Sequence, residues 1–185
     1  MMTEISLNVL DVAENSVRAG ASLVDIRIAV DTAADRLTVV IKDNGCGMTK
    51  KQLTQVTDPF FTSRTTRKVG LGVPFFKYAA ESTGGSFGIV SQPQEGTKVR
   101  AEFVLSHIDR MPMGDISSTI HNLIVYHPET DFVYCYSYNG HSFNLDTQEL
   151  KDILGGIPFH TPEVSVYIKA YLDENKVEID GGAVY

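Results

Sequence analysis

Two neighbouring runs of alternating residues decide much of what this chain can fold into. They are VDIRIAVD (24–31) and RLTVVIKD (36–43), and a short turn separates them. Because successive side chains of a strand point to opposite faces, the alternation predicts two half-buried strands that pair as a hairpin. The predicted buried face takes three aliphatic residues from each strand, namely Ile26, Ile28 and Val30, and then Leu37, Val39 and Ile41.

Helical periodicity surrounds this hairpin. Apolar spacing predicts a helix over 5–19, Thr49 caps a short helix that ends at Val56, and Pro74 begins a helix that ends at Gly84. Two further strand-like runs, 86–92 and 97–105, predict a second pair of strands. This order of elements predicts an antiparallel or mixed sheet covered on one face, which is a two-layer α/β sandwich of the α+β class.

The sequence changes character after about residue 108. Three helices and one β-hairpin are predicted there: a helix around Ile120, a hairpin over 131–145 that turns at Asn139-Gly140, and helices that begin at Asp146 and Thr161, the last running towards Asp173. We therefore predict a first domain over 1–106 and a small, acidic α/β appendage over 107–185 that packs on it.

The acidic composition limits the partners of this protein. A net charge of −7 and a pI of about 5.1 argue against a sequence-independent grip on nucleic acid or on an anionic membrane. The first residues carry acids where a signal peptide needs positive charge, and no apolar run reaches the roughly 20 residues that span a bilayer. Two cysteines are too few for a disulfide framework or a four-cysteine zinc site. We expect a soluble, cytoplasmic protein.

The charge is unevenly distributed along the chain. Residues 1–108 carry 12 basic and 11 acidic side chains, whereas residues 109–185 carry 4 basic and 12 acidic ones. Within the first part, 44–80 contains six basic residues and a single acid, Asp58. A basic island inside an acidic protein indicates a site for an anionic ligand.

Asp11 and Asn15 lie one turn apart on the polar face of the first predicted helix. A carboxylate and a carboxamide at this spacing can hold a divalent cation or orient a water molecule. Taken alone, however, the pair is better explained as a solvated helix face.

The segment Asp43-Asn44-Gly45-Cys46-Gly47-Met48 directly follows a predicted strand. An aspartate at a strand end can accept a hydrogen bond from an exocyclic amine, and the glycines let the backbone pass close to a flat ring because no Cβ intervenes. A plain turn between a strand and a helix is the alternative interpretation.

The segment Gly70-Leu71-Gly72 leads into the helix that begins at Pro74. A glycine-flanked helix N-terminus offers unpaired N–H groups to phosphate, and basic residues just before it, Arg64, Arg67 and Lys68, could close over a phosphate chain. The segment lacks the lysine of a P-loop and follows a loop rather than a strand, which argues against a dinucleotide fingerprint.

Taken in order, these motifs resemble those of the GHKL superfamily, the ATP-binding fold shared by gyrase, histidine kinases and mismatch-repair ATPases. LDVAENSVRAGA resembles its N-box, DNGCGM its first glycine box, GLGVP its second and EGTKV its third, over roughly residues 4–105. The segment DPFFTSRTTRKVGLGVPFFKYAAESTGG is similar to the lid and second box of histidine kinase catalytic domains. The resemblance implies a Bergerat-type fold that binds ATP and magnesium.

The resemblance implies roles on the base and metal side of the site. Asn15 matches the asparagine that ligates magnesium, and Asp43 matches the aspartate that reads adenine. Thr97, in the third glycine box, would support Asp43 through a water molecule. Three further residues would shape the adenine pocket, namely Gly45, Gly47 and Met48.

The phosphate side of the site is implied in the same way. Gly70, Leu71 and Gly72 match the lid segment beside the phosphates. Arg64 stands where many relatives have a lid lysine, and with Lys68 it supplies positive charge, although its planar guanidinium differs from an ammonium group.

One departure from the family pattern concerns hydrolysis. In the hydrolysing members a glutamate one turn before the magnesium asparagine activates water, and here that position is Asp11, which is one methylene shorter. Asp11 would act as a base through a water molecule, or hydrolysis would be slow or absent. The sequence therefore predicts nucleotide binding more firmly than turnover.

The resemblance leaves three classes of function open. The N-box helix begins near residue 5 and all five histidines follow residue 106, so we expect an isolated catalytic-type domain without a dimerising phosphoacceptor module. The protein would regulate a partner or phosphorylate its serine, act as a split histidine kinase on another chain, or serve as a slowly hydrolysing ATP-dependent clamp. The basic lid and the kinase-like DPFFTSR favour the first two, with a partner protein or phosphoacceptor yet to be identified.

Overall fold

A computed structural model describes residues 3–56 and 72–185 of the chain. The helices are α1 (Ile5–Arg18), α2 (Lys50–Gln55), α3 (Gly72–Glu81), α4 (Ile116–Tyr126), α5 (Thr147–Leu154) and α6 (Pro162–Asp180). The strands are β1 (Leu23–Asp31), β2 (Arg36–Asp43), β3 (Ser86–Gln92), β4 (Gly96–Val104), β5 (Asp131–Tyr138) and β6 (His141–Asp146). The elements predicted from periodicity are all present. Helix α6 continues beyond the predicted Asp173 and ends at Asp180, where Gly181 adopts the left-handed conformation that terminates helices.

The six strands form one mixed sheet in the order β3-β4-β2-β1-β5-β6. Every neighbouring pair is antiparallel except β1 and β5, which run parallel with Ile26 opposite Tyr134. The segment after residue 107 thus continues the sheet that the first part begins. The division into 1–106 and 107–185 stays a prediction.

One face of the sheet is buried and the other is open. The six predicted inward residues of β1 and β2 are all 2% exposed or less, and the buried residues of β4 and β5 lie opposite them in register. Helices α1, α3, α4 and α6 pack on this face and on one another. This arrangement confirms the predicted α+β, two-layer architecture.

Helix α1 is more enclosed than its sequence indicates. Its apolar residues Ile5, Val9 and Ala13 are buried, and so is the polar Asn8. The reason is that α1 packs between α3 and α4. Within the described ranges, 3–56 and 72–185, no helix combines the length and the apolar character needed to cross a bilayer.

Asp180, at the end of α6, joins the last helix to the sheet. Its Oδ2 accepts hydrogen bonds from the buried Tyr136 hydroxyl and from Lys176 Nζ, each at 2.6 Å. Replacing it with alanine strands a buried hydroxyl and a half-buried ammonium, so we expect Asp180→Ala to lower the free energy of unfolding by about 2–4 kcal/mol. Urea denaturation measures this loss, and Glu178→Ala, at an exposed position of the same helix, should change stability by less than about 0.5 kcal/mol. Equal effects of the two substitutions would contradict the prediction.

Glu102, on the open face of β4, has a strongly perturbed titration. Hydrogen bonds from Ser86, Arg100 and Arg36 lower the pKa of Glu102 to about 2, the Ser86 hydroxyl contributing most. A lowered pKa in the folded state stabilises the protein above the unfolded pKa of about 4.5, and this stabilisation is lost as pH falls towards 2. We expect Glu102→Gln to cost under about 1 kcal/mol at pH 7 and less as pH falls through this window. Urea titrations at several pH values, with Glu95→Gln as the exposed control, check this.

Candidate functional site

A cavity of about 370 Å³ opens between α1, the end of β2, the loop after it and the start of α3. Seven of the predicted site residues line it: Asp11, Asn15, Asp43, Gly47, Met48, Gly72 and Thr97. Gly45 lies beside Asp43, to which its amide donates. The other four, Arg64, Lys68, Gly70 and Leu71, fall outside the described residues. Motifs separated by more than 80 residues thus meet in one place, and the volume is typical of a small-molecule site.

Asp43 is the polar centre of the cavity. It is the last residue of β2 and is only 7% exposed. Its Oδ2 accepts from Ser16 Oγ at 2.7 Å, and its Oδ1 accepts from the amides of Gly45 at 2.9 Å and Thr97 at 3.1 Å. Because a carboxylate offers about four acceptor positions, these bonds fix its orientation and leave room for one further donor.

Ser16 was not identified as a site residue from the sequence. It lies on the buried side of α1, directly after Asn15, and holds Asp43 across the cavity. A serine within an amphipathic helix carries no specific sequence signal. Only the pairing of its hydroxyl with a residue 27 positions away reveals its role.

The sequence predicts none of the residues of the apolar wall as site residues, and only Ile41 among them as core. The wall consists of aliphatic residues from α1, α3 and three strands, namely Val12, Val73, Ile41, Ile89 and Val99. A flat heterocycle can pack against such a wall while its amine reaches the carboxylate.

Packing within the protein requires a glycine at position 47. Its φ is +64°, and a Cβ there would lie 1.8 Å from the carbonyl oxygen of Gln92. The loop after β2 therefore packs directly on the turn between β3 and β4, and the amide of Gln94 also donates to the carbonyl of Cys46. The sequence predicts close approach to a ring at this glycine, and the structure adds a close approach to backbone.

Thr97 reaches Asp43 through its backbone. Its amide donates directly to Asp43 Oδ1, and the predicted support through a water molecule stays a prediction. The Thr97 hydroxyl instead shares a hydrogen bond of 2.9 Å with Ser91 Oγ. The antiparallel register of β2 with β4, in which Lys42 lies opposite Lys98, brings the two residues together.

The polar face of α1 contributes the remaining charged groups. Arg18 Nη2 donates to Asn15 Oδ1 at 2.9 Å, at the rim of the cavity. Asp11 lies against Gly72, the first residue of α3. Glu14 faces away and pairs with His127 after α4, its Oε1 lying 2.6 Å from His127 Nε2, so that acid is committed to packing α1 on the later part of the chain.

A cation in this site would need ligands beyond the protein. Within 3–56 and 72–185, no cluster of three or more histidine, cysteine, aspartate or glutamate residues could hold a metal ion. Asn15 offers one amide oxygen at the cavity rim, and Asp11 offers a carboxylate one turn earlier. Magnesium accepts few protein ligands when phosphate oxygens and waters complete its shell, so this donor set fits an ion carried by a phosphate chain.

Known proteins with similar sequences share this part of the chain. Residues 3–107 match the family described as "Histidine kinase-, DNA gyrase B-, and HSP90-like ATPase". A putative sensor protein of Shewanella frigidimarina (strain NCIMB 400) is 32% identical over 109 residues, which cover 57% of this chain and 16% of the relative. The sensor histidine kinase YxdK of Bacillus subtilis (strain 168) is 30% identical over 98 residues, covering 50% and 30%. The chain thus matches less than a third of either relative.

Solved structures resemble a larger share of the chain. The Aquifex aeolicus MutL ATPase domain complexed with ADP aligns with a TM-score of 0.51 at 14% identity, over 84% of this chain and 70% of that one. The N-terminal domain of a DNA repair protein aligns with a TM-score of 0.56 at 13% identity, over 78% and 53%. At such identities the likeness concerns the fold alone, and its extent reaches beyond the segment matched by sequence.

Proposed function

This chain belongs to the family of histidine kinase-, DNA gyrase B- and HSP90-like ATPases, which are nucleotide-binding domains. We propose that it binds Mg-ATP in the cavity beside Asp43 and uses the nucleotide to act on a partner protein in signalling. The observation that carries the proposal is the buried carboxylate of Asp43, which three donors orient and which can still accept one more hydrogen bond. The exocyclic amine of adenine is a donor of the required kind.

Different residues of the cavity would contact different parts of the nucleotide. Asp43 would accept from adenine while the apolar wall packs on the ring, and the start of α3, beside Asp11, would lie on the phosphate side of the site. Asn15 would ligate the magnesium ion that the phosphates carry, and Arg18 would move from Asn15 Oδ1 to make room for it. Bound magnesium neutralises phosphate charge, and the chain's own contribution is to orient the nucleotide and exclude water from the base.

Isothermal titration calorimetry tests the binding step. We expect the wild-type protein to bind one Mg-ATP, and Asn15→Ala to weaken Mg-ATP binding while leaving the magnesium-free affinity within about threefold. Asn175→Ala, in α6 and away from the cavity, is the matched control. Wild-type protein that produces no binding heat, and no thermal shift with ATP, would refute the proposal.

Transfer of phosphate to a partner is the favoured use of the nucleotide. The relatives named as sensor proteins and sensor histidine kinases support a role in signalling, and the kinase-like segment DPFFTSR supports transfer over a clamp. A slow ATPase that acts as an ATP-dependent clamp is the alternative. We propose a serine or a histidine on another chain as the acceptor.

Labelled γ-phosphate distinguishes these outcomes. The purified protein is incubated with Mg-ATP alone and with proteins that co-purify with it, and both protein-bound label and released phosphate are followed. Label on a partner supports the kinase, and its loss in acid identifies phosphohistidine rather than phosphoserine. Released phosphate without labelled protein favours the clamp.

A further inference from the structure

Asp11 of α1 lies directly against Gly72, the first residue of α3. A Cβ placed on Gly72 would lie 1.5 Å from Asp11 Oδ2 and 2.6 Å from Asp11 Cγ. Atoms of folded proteins do not approach so closely, so the carboxylate occupies the space that any side chain at position 72 would need. Gly72 is also buried.

The carboxylate lies at a place where negative charge is favoured. Gly72 is the first residue of α3, a helix of ten residues, and the first amides of a helix have no partner within it. Pro74 has no N–H, so Gly72 and Val73 supply the donors of the first turn that have no partner within the helix. A carboxylate beside such a helix end is stabilised both by these donors and by the helix dipole.

The length of the side chain matters for this contact. The Cβ of Asp11 is itself only 3.4 Å from the position that a Cβ of Gly72 would take. At this distance a side chain as short as that of aspartate already reaches Gly72. A glutamate would carry its carboxylate past Gly72 or would have to bend away from it.

We propose that Asp11 is a positioning residue whose carboxylate holds the N-terminus of α3 against α1, and that it is not the base that activates water. The contact itself depends only on the geometry above. Its role at the phosphate end of the site rests on the proposed function, because α3 would present its N-terminus to the nucleotide. Hydrolysis by this protein, where it occurs, then proceeds without proton transfer to Asp11.

Thermal unfolding of the full-length protein without nucleotide tests the contact. We expect Gly72→Ala to lower Tm by roughly 3–8 °C, because its methyl group displaces the carboxylate. In the double variant Asp11→Ala/Gly72→Ala the total loss should be clearly smaller than the sum of the two single losses, because the clashing atoms are gone. Gly88→Ala is the matched control, since a Cβ there meets nothing within 4 Å, and it should leave Tm unchanged. If the decrease in Tm of the double variant equals the sum of the two single decreases, the proposed contact between Asp11 and Gly72 is refuted.

Phosphate release from Mg-ATP between pH 5.5 and 9 tests the role. Asp11→Asn keeps an acceptor oxygen but cannot take a proton, so we expect it to lower the rate by less than about tenfold and to keep the shape of the wild-type pH profile. Asp11→Glu should release no more phosphate than wild type. A loss beyond about 100-fold in Asp11→Asn, or a gain in Asp11→Glu, would identify Asp11 as a base and overturn the proposal. Where wild-type release is undetectable, its appearance in Asp11→Glu is the refuting result. Failure of Mg-ATP to bind in calorimetry refutes the proposed function instead and leaves the Tm comparison valid.

Discussion

Replacing Asp43 with asparagine is expected to weaken Mg-ATP binding by at least about 100-fold, because the substitution places an amide where adenine requires an acceptor. The Asp43 side chain lies at a position that is only 7% exposed. The NH₂ group of the introduced asparagine and the amine of adenine would therefore face each other without water to accept their hydrogen bonds. Isothermal titration calorimetry of the two proteins under identical conditions measures the change. Binding of Mg-ATP to Asp43→Asn with wild-type affinity would contradict the assignment.

The asparagine variant separates recognition from folding. Its remaining side-chain oxygen can still accept from the amides of Gly45 and Thr97, while the Ser16 hydroxyl can turn to accept from the new NH₂ group. We therefore expect its Tm to stay within a few degrees of wild type, whereas Asp43→Ala strands all three donors and lowers Tm further. Asp25→Asn, on the open face of β1, is the matched control and should bind Mg-ATP normally.

The sequence predicts those parts of the fold and site that depend on local pattern. Alternation in β1 and β2 is sufficient to identify their buried face, because the side-chain period of a strand is two. Asp11, Asn15, Asp43 and Thr97 belong to short motifs that keep their order along the chain. Antiparallel pairing of β2 with β4 then brings the first and third glycine boxes together.

Long-range pairings are what local pattern leaves out. Nothing in residues 131–138 specifies that this strand lies parallel to β1, because parallel partners are chosen by the packing of the intervening helices. The same holds for Ser16 on Asp43 and for His127 on Glu14, which are contacts across 27 and 113 positions. The sequence alone does not explain why position 11 is an aspartate and not a glutamate. The contact of its carboxylate with Gly72 offers an explanation.

Strand β5 makes the first part of the chain dependent on the second. It pairs with β1 from Leu23 to Val30, and its buried Phe132, Tyr134 and Tyr136 continue the core beside β1. Helix α4 adds four nearly inaccessible residues against α1 and the sheet, namely Ile116, Ile120, Leu123 and Ile124. At about 1.5–3 kcal/mol for each buried large aliphatic or aromatic side chain, the burial of these residues is comparable in size to the 5–15 kcal/mol by which a typical domain is stable.

Truncation after residue 106 is therefore expected to unfold the remaining fragment, because it exposes the apolar face of β1 and leaves that strand as an unprotected edge. Circular dichroism and size-exclusion chromatography of fragment 1–106 should show loss of cooperative unfolding or aggregation, together with loss of Mg-ATP binding. A fragment ending at Gly182 keeps every described helix and strand and is the control. Its losses include the Tyr185 contacts to Met113, Tyr138, Lys176 and Asp180. We expect that control to unfold cooperatively, a few degrees below the full chain. The opposite result would be a 1–106 fragment that unfolds cooperatively and binds Mg-ATP as tightly as the full chain. It would show that the first domain folds independently of strands β5 and β6.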